Sequence, residues 1–226
     1  MIAQCCAEAE ALDVAGHLAP PAMHRALGDR RDRLVGLNEG TKLLPKGSAL
    51  GRLVGYLKSL AHELGQLGYE RTLTIPTSVM LACYDGAGAF YKPHMDSMNS
   101  DPRRLTAIVY LVPPDWDARP EKDGGRLVWW LVDEESNSPR HVLPDGSREP
   151  VRQTTEPKAG RLVLFNARTV MHEVCRRLPP TAAAAARLSV RMPVWPACPP
   201  DRPEGDEQAP LPLARSLVLV CAASGR

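Results

Sequence analysis

Residues 77–84 read TSVMLACY, and the same texture returns as LTAIVYLV (105–112), RLVWWLV (126–132), RLVLF (161–165) and RLSVRMPVW (187–195). Each run is short and β-prone, and turn-forming clusters punctuate the series, which is the pattern of strands. No helical pattern intervenes. Several strands at this spacing point to a sandwich or jelly roll.

Upstream of these runs the texture differs. Between Ser48 and Gly68 the residues Leu50, Leu53, Val54, Leu57, Leu60, Leu64 and Leu67 recur every three or four positions, the signature of an amphipathic helix. Ser48 can cap its start and Gly68 its end, and the apolar stripe predicts that it packs on a sheet. Downstream, the chain turns proline-rich from about Pro196 (PACPPDRPEGDEQAP), a composition that reads as a disordered tail. The late apolar run SLVLVCA (216–222) is short and stays unassigned, and no internal repeat is found.

The chain of 226 residues fits one domain, or one domain with tails, and its 44% hydrophobic content can build a sizeable core. A net charge of +2, from 28 basic and 26 acidic residues, gives no broad footprint for nucleic acid or an anionic membrane. The six cysteines form no C-x-x-C pair, so neither a zinc site nor a disulfide framework is expected. The amino terminus carries Glu8 and Glu10 where a signal peptide would be apolar. No stretch reaches the about 18 apolar residues of a membrane span. A soluble protein of the cytoplasm or nucleus is the expectation.

Within YDGAGAFYKPHMDS (84–97), His94 and Asp96 stand two residues apart. On an extended strand that spacing puts both side chains on one face, where an imidazole and a carboxylate can reach one metal ion. An ordinary surface His–Asp pair would read the same. An iron that must also bind a chelating cosubstrate and O2 accepts three protein ligands, two histidines and a carboxylate with open positions. The third donor must come from elsewhere. His172, in RLVLFNARTVMHEV (161–174), lies beyond a strand and a turn, where a distant strand of a jelly roll can bring it beside the first pair. Arg187, one strand further on, offers a planar guanidinium that can pair bidentately with the distal carboxylate of 2-oxoglutarate. Arg191, on the same strand face, is its rival.

Four stretches now act together: MLACYDGAGAFYKPHMD (80–96), IVYLVPPDWDARPEKDGGRLVWW (108–130), EPKAGRLVLFNARTVMHEV (156–174) and the RLSV…W ending. Over roughly residues 30–195 the chain resembles the prolyl hydroxylases among the 2-oxoglutarate- and Fe(II)-dependent dioxygenases, including the oxygen-sensing enzymes that act on hypoxia-inducible factor. The resemblance implies a mainly-β fold with flanking helices, a double-stranded β-helix (jelly roll) core packed on N-terminal helices. It divides the chain into an N-terminal helical segment (1–29), a dioxygenase domain (30–196) and a Pro-rich disordered tail (197–226).

Residue by residue, the resemblance makes His94, Asp96 and His172 the iron ligands and Arg187 the cosubstrate anchor. Tyr110 matches a tyrosine that assists the anchor, and Tyr84 one that hydrogen-bonds near metal and cosubstrate. Tyr91 resembles a residue lining the substrate entrance, and Leu127 and Trp195 match apolar walls of the pocket. The segment EVCRRLPPTAAAAA (173–186) is longer than the family's connection, an insertion that loop-closure entropy tolerates. DPRR (101–104) resembles the loop that covers the peptide. The implied cofactors are Fe(II), 2-oxoglutarate and ascorbate as reductant, and the implied partners are O2 and a proline-containing protein or peptide. The same chemistry on a free amino acid, another side chain or an alkylated base is the second reading, and a silent jelly-roll binding module the third. With 5% aromatic residues and near-neutral charge, a base demethylase is the weakest of these, and neither nucleic acid nor membrane is expected as a partner.

Overall fold

The computed structural model describes residues 1–21, 28–38, 41–69, 73–85, 88–98, 101–119 and 124–175, and the backbone of 215–225. Two helices, α1 (Ile2–Val14) and α2 (Ala49–Gln66), accompany a set of antiparallel strands among the described residues. The larger sheet runs β1 (Arg33–Leu37), β3 (Val79–Asp85), β12 (Arg215–Gly225), β5 (Arg103–Leu111) and β10 (Leu162–Asn166), with the short β2 (Leu73–Thr74) on the end of β12. The smaller sheet runs β4 (Tyr91–His94), β11 (Val170–Val174), β6 (Leu127–Leu131) and β9 (Gln153–Thr155), while β7 (His141–Val142) and β8 (Arg148–Glu149) form a separate ribbon.

Alternation along β3 and β5 divides the molecule into layers. Val79, Leu81 and Cys83 of β3 and Ala107, Val109 and Leu111 of β5 face the helices, in one cluster with Leu50, Leu53, Val54 and Leu57 of α2 and Cys5 and Ala9 of α1. The intervening Met80, Ala82 and Tyr84, with Ile108 and Tyr110, face inward and meet Leu127, Trp129 and Val174 of the smaller sheet. Both faces of the larger sheet are thus covered, one by helices and one by the other sheet, as a jelly roll on N-terminal helices requires.

The expected ends of α2 hold. The Ser48 hydroxyl accepts from the Gly51 N–H at 2.9 Å, and Gly68 follows the helix at φ +86°, a backbone shape that favours glycine. Glu8 of α1 also accepts from the Ala49 and Leu50 N–H groups, at 2.9 and 2.7 Å, joining the two helices end to face. Leu67, read as the last residue of the stripe, lies past the helix and is exposed. A half-buried ion cluster ties α1 to the sheet: Arg33 of β1 donates to Asp13 at 2.7 Å and to Asp85 at 2.5 Å.

One part of the sequence reading is corrected. Residues 197–226 were expected to form a disordered tail, yet Arg215–Gly225 is a strand paired on one side with β3 and on the other with β5. The run SLVLVCAA carries no charge, proline or glycine, and it lies between β3 and β5 in a sheet covered on both faces, a setting in which a strand reads as a continuous apolar run. The proline-rich composition before it stops short of these residues. The expected strand 187–195 lies outside the described residues. Among the described residues no helix is long and apolar enough to cross a membrane.

Candidate metal centre

β4 ends at His94, and Asp96 follows after one intervening residue, so the H-x-D spacing acts at the mouth of a strand rather than within it. β10 ends at Asn166, a turn over 167–169 carries the chain from the larger sheet to the smaller one, and β11 brings His172 directly opposite His94. The cross-strand pairing brings the two imidazole rings to 4.2 Å between centroids. His94 Nε2 lies 3.6 Å from Asp96 Oδ1, and His172 Nε2 lies 3.8 Å from Asp96 Oδ2. The three donor atoms all fall within 4.8 Å of one another. Bonds of about 2.0–2.2 Å from one ion can bridge such a set after small side-chain adjustments.

The outer contacts prepare these atoms for a cation. His94 Nδ1 donates to the Lys92 carbonyl at 2.8 Å, and His172 Nδ1 faces the Val170 carbonyl at 3.3 Å, so each ring keeps its Nε2 lone pair for the site. Burial, chiefly, pushes His172 down to about 4, leaving it neutral at physiological pH. Burial works against the Asp96 carboxylate, but the neighbouring His94 and His172 rings and the Thr106 hydroxyl outweigh it and hold the group well below the ordinary carboxylate range. Thr106, fully buried on β5, donates to Asp96 Oδ2 at 2.6 Å. Two imidazoles and a carboxylate on one side of an ion are the donor set that suits Fe(II) with positions left open.

A cleft opens in front of the triad. Tyr84, Tyr91, Tyr110 and Leu127 all line it, so four of the expected pocket residues converge on one space with the three donors. Tyr110 is 3% exposed, and burial pushes its phenol well up; burial with Asp32 nearby does the same to Tyr84. Tyr91 stacks on His94 at 3.5 Å between centroids and 19° between planes. Arg187, Arg191 and Trp195 lie outside the described residues.

Several lining residues were not foreseen. Met80 and Ile108 belong to the inward faces of β3 and β5, and Val174 follows His172 by two on β11. Their signal is the period-two alternation of a strand, which puts Met80 on the face of Tyr84 and Ile108 on the face of Tyr110, and the same alternation marks Thr106. Arg30 also lines the cleft, and it had no comparable signal, since DRRDR (29–33) reads as a solvated charge run.

Comparison with known proteins agrees with this arrangement. The chain is 34% identical over 132 residues to Egl nine homolog 1 of Rattus norvegicus, a match covering 58% of this chain and 33% of that protein. The human Egl nine homolog 1 is 33% identical over 132 residues, covering 58% and 26%. The chain therefore spans about a third or less of the length of these relatives. Among solved structures, a Pseudomonas putida prolyl-4-hydroxylase superposes with TM-score 0.59 at 22% identity, covering 100% of this chain and 86% of that one. A Trichoplax adhaerens prolyl hydroxylase in complex with a hypoxia inducible factor oxygen degradation domain peptide fragment gives 0.62 at 21% identity, covering 97% and 78%. At these identities the superpositions speak for the fold, a jelly-roll core. The profile of the 2OG-Fe(II) oxygenase superfamily matches residues 79–192, half of the chain and the half that carries all three donors, and the chain belongs to that superfamily.

Proposed function

We propose that this protein is a 2-oxoglutarate- and Fe(II)-dependent dioxygenase that hydroxylates prolyl residues of a protein substrate. The observation that carries the reading is the convergence of His94, Asp96 and His172 at the back of a cleft walled by Tyr84, Tyr91, Tyr110 and Leu127. Support for the prolyl substrate comes from the likeness to Egl nine homolog 1 and from the peptide-bound prolyl hydroxylase that shares the fold.

Iron(II) bound with 2-oxoglutarate and O2 supplies the power to insert one oxygen atom into an unactivated C–H bond, releasing succinate and CO2. The chain's own residues supply placement. His94, Asp96 and His172 would hold the metal on one side only. Thr106 fixes the carboxylate plane through Oδ2. The Tyr110 hydroxyl, with Arg187 or Arg191 from the following segment, would receive the distal carboxylate of the cosubstrate. Leu127, 1% exposed, excludes water from the inner wall, and Tyr91 and Trp195 would border the entrance. Ascorbate would keep the iron reduced.

The test incubates the purified protein with Fe(II), ascorbate, 2-oxoglutarate and proline-containing peptides, and looks by mass spectrometry for the gain of one oxygen atom on proline. Succinate release without peptide oxidation would keep the oxygenase and reject the prolyl substrate. Undiminished succinate release by His94→Ala or Asp96→Ala would reject the metal site itself.

A further inference from the structure

β4 is the outermost strand of the smaller sheet, and the segment Asp29–Arg31 lies along its outer side. The Arg31 N–H donates to the Phe90 carbonyl and the Lys92 N–H to the Asp29 carbonyl, both at 2.8 Å, making Arg30 and Tyr91 cross-strand partners. Directly opposed residues in such a pair carry their side chains on the same face. The Arg30 guanidinium accordingly sits 4.2 Å from the centroid of the Tyr91 ring, and that ring lies flat on His94. Asp32, whose side chain is fully buried, grips the guanidinium by its edge: Nε donates to Oδ1 at 2.7 Å and Nη2 to Oδ2 at 2.5 Å. The two-point grip fixes the plane of the cation beside the tyrosine ring. Asp32, Arg30, Tyr91 and His94 therefore form one continuous column that ends on a donor of the candidate metal centre.

We propose that Arg30 is a positioning residue of this site: clamped by Asp32, it pins the Tyr91 ring flat against His94 and so sets the wall past which a substrate side chain must travel. The role rests on the reading of His94 as a metal ligand and of the cleft as the substrate's entry. A cosubstrate anchor is a poorer fit to the same residue. Two donors on one edge of the guanidinium are already committed to Asp32, and the pair is electrically neutral as a unit. Lysine would be a poor replacement, because an ammonium has no fork for the two-point grip of the carboxylate.

The experiment uses the full chain loaded with Zn(II), a diamagnetic stand-in, and follows the ring-proton resonances of His94. In the native protein the Tyr91 ring shifts them upfield, and Tyr91→Leu sets the position they take without it. The double variant Arg30→Met with Asp32→Asn removes both charges together, so neither is left buried alone, and Arg30→Lys keeps a cation beside Asp32 as a second, gentler variant. Both should move the His94 resonances toward the Tyr91→Leu position. With Fe(II), both should raise KM for a proline peptide about five-fold, the loss of a cation–π contact of about 1 kcal/mol, with KM for 2-oxoglutarate unchanged. Native His94 resonances in either folded variant, judged by its melting temperature, would overturn the proposal. A rise in the 2-oxoglutarate KM alone would overturn it too, making Arg30 an anchor. The resonance measurement needs no substrate, so it decides the role of Arg30 even if no prolyl peptide is ever oxidised.

Discussion

Thr106→Val tests how far the candidate metal centre depends on a group that never touches the metal. The side chain is fully buried on β5, and its hydroxyl donates to Asp96 Oδ2 at 2.6 Å. Valine keeps the branched shape and deletes only the donor. A hydrogen bond to a charged group contributes about 1.5–3 kcal/mol, but the Asp96 side chain is 16% exposed, so water can take over part of that bond. We predict a loss of about 1 kcal/mol in global stability. The effect on metal should be larger, because the partner of a ligating carboxylate typically contributes about 10- to 100-fold in affinity, or about 1.4–2.8 kcal/mol. Anaerobic calorimetry with Fe(II), run beside urea unfolding of the metal-free protein, separates the two quantities. Thr106→Ser restores the hydroxyl and should restore most of the affinity. Native Fe(II) affinity in a folded Thr106→Val protein would refute the reasoning, since the carboxylate would then need no support from the opposite sheet.

Three further outcomes are expected. Arg187→Ala should raise the KM for 2-oxoglutarate while leaving metal affinity intact; if Arg191→Ala does so instead, the anchor is the later arginine. Burial holds His172 down to about 4 against an ordinary 6.5, so the unfolded metal-free chain takes up a proton that the folded one resists. Stability from this group is fully present above about pH 6.5 and falls as the pH drops toward 4, by on the order of 3 kcal/mol. Urea unfolding across that range should show the slope, and His172→Asn should flatten it; equal slopes in both proteins would show that His172 is not its source. Truncation after Pro210 removes β12 and leaves β3 and β5 without their shared neighbour, so the shortened chain should lose its cooperative melt; a native melting temperature would mean that another segment fills the gap.

What could be read from the sequence follows from the range of the interactions involved. β3 and β5 were legible because each is a short β-prone run between turn-forming clusters, a local signal that survives in a single sequence. The H-x-D pair was legible for the same reason. His172 could only be named as a candidate, since its place opposite His94 is a matter of register between strands far apart in the chain. β12 was hidden by its surroundings: a proline-rich stretch precedes it, and in a sheet covered on both faces it shows an unbroken apolar run with no alternation to betray it. Arg30 was hidden by chemistry. In a run of five charged residues (DRRDR, 29–33) nothing local says which one turns inward, and the choice is made by the backbone bonds to Phe90 and Lys92.

The same bonds bear on why the site can be built at the rim of a sheet at all. His94 lies on the outermost strand of the smaller sheet and Asp96 just beyond it, whereas His172 lies on the neighbouring inner strand. An edge strand exposes unpaired backbone groups and opens more readily than an inner one, so two of three donors sit on the least secure backbone of that sheet. Two attachments offset this. Thr106 reaches across from the larger sheet to Asp96, and Asp29–Arg31 covers the outer side of β4 with hydrogen bonds while Arg30 loads its cation onto Tyr91. The rim location keeps one side of the triad open to the cleft, which a chelating cosubstrate and O2 require, and the two attachments restore the rigidity that the location alone would forfeit.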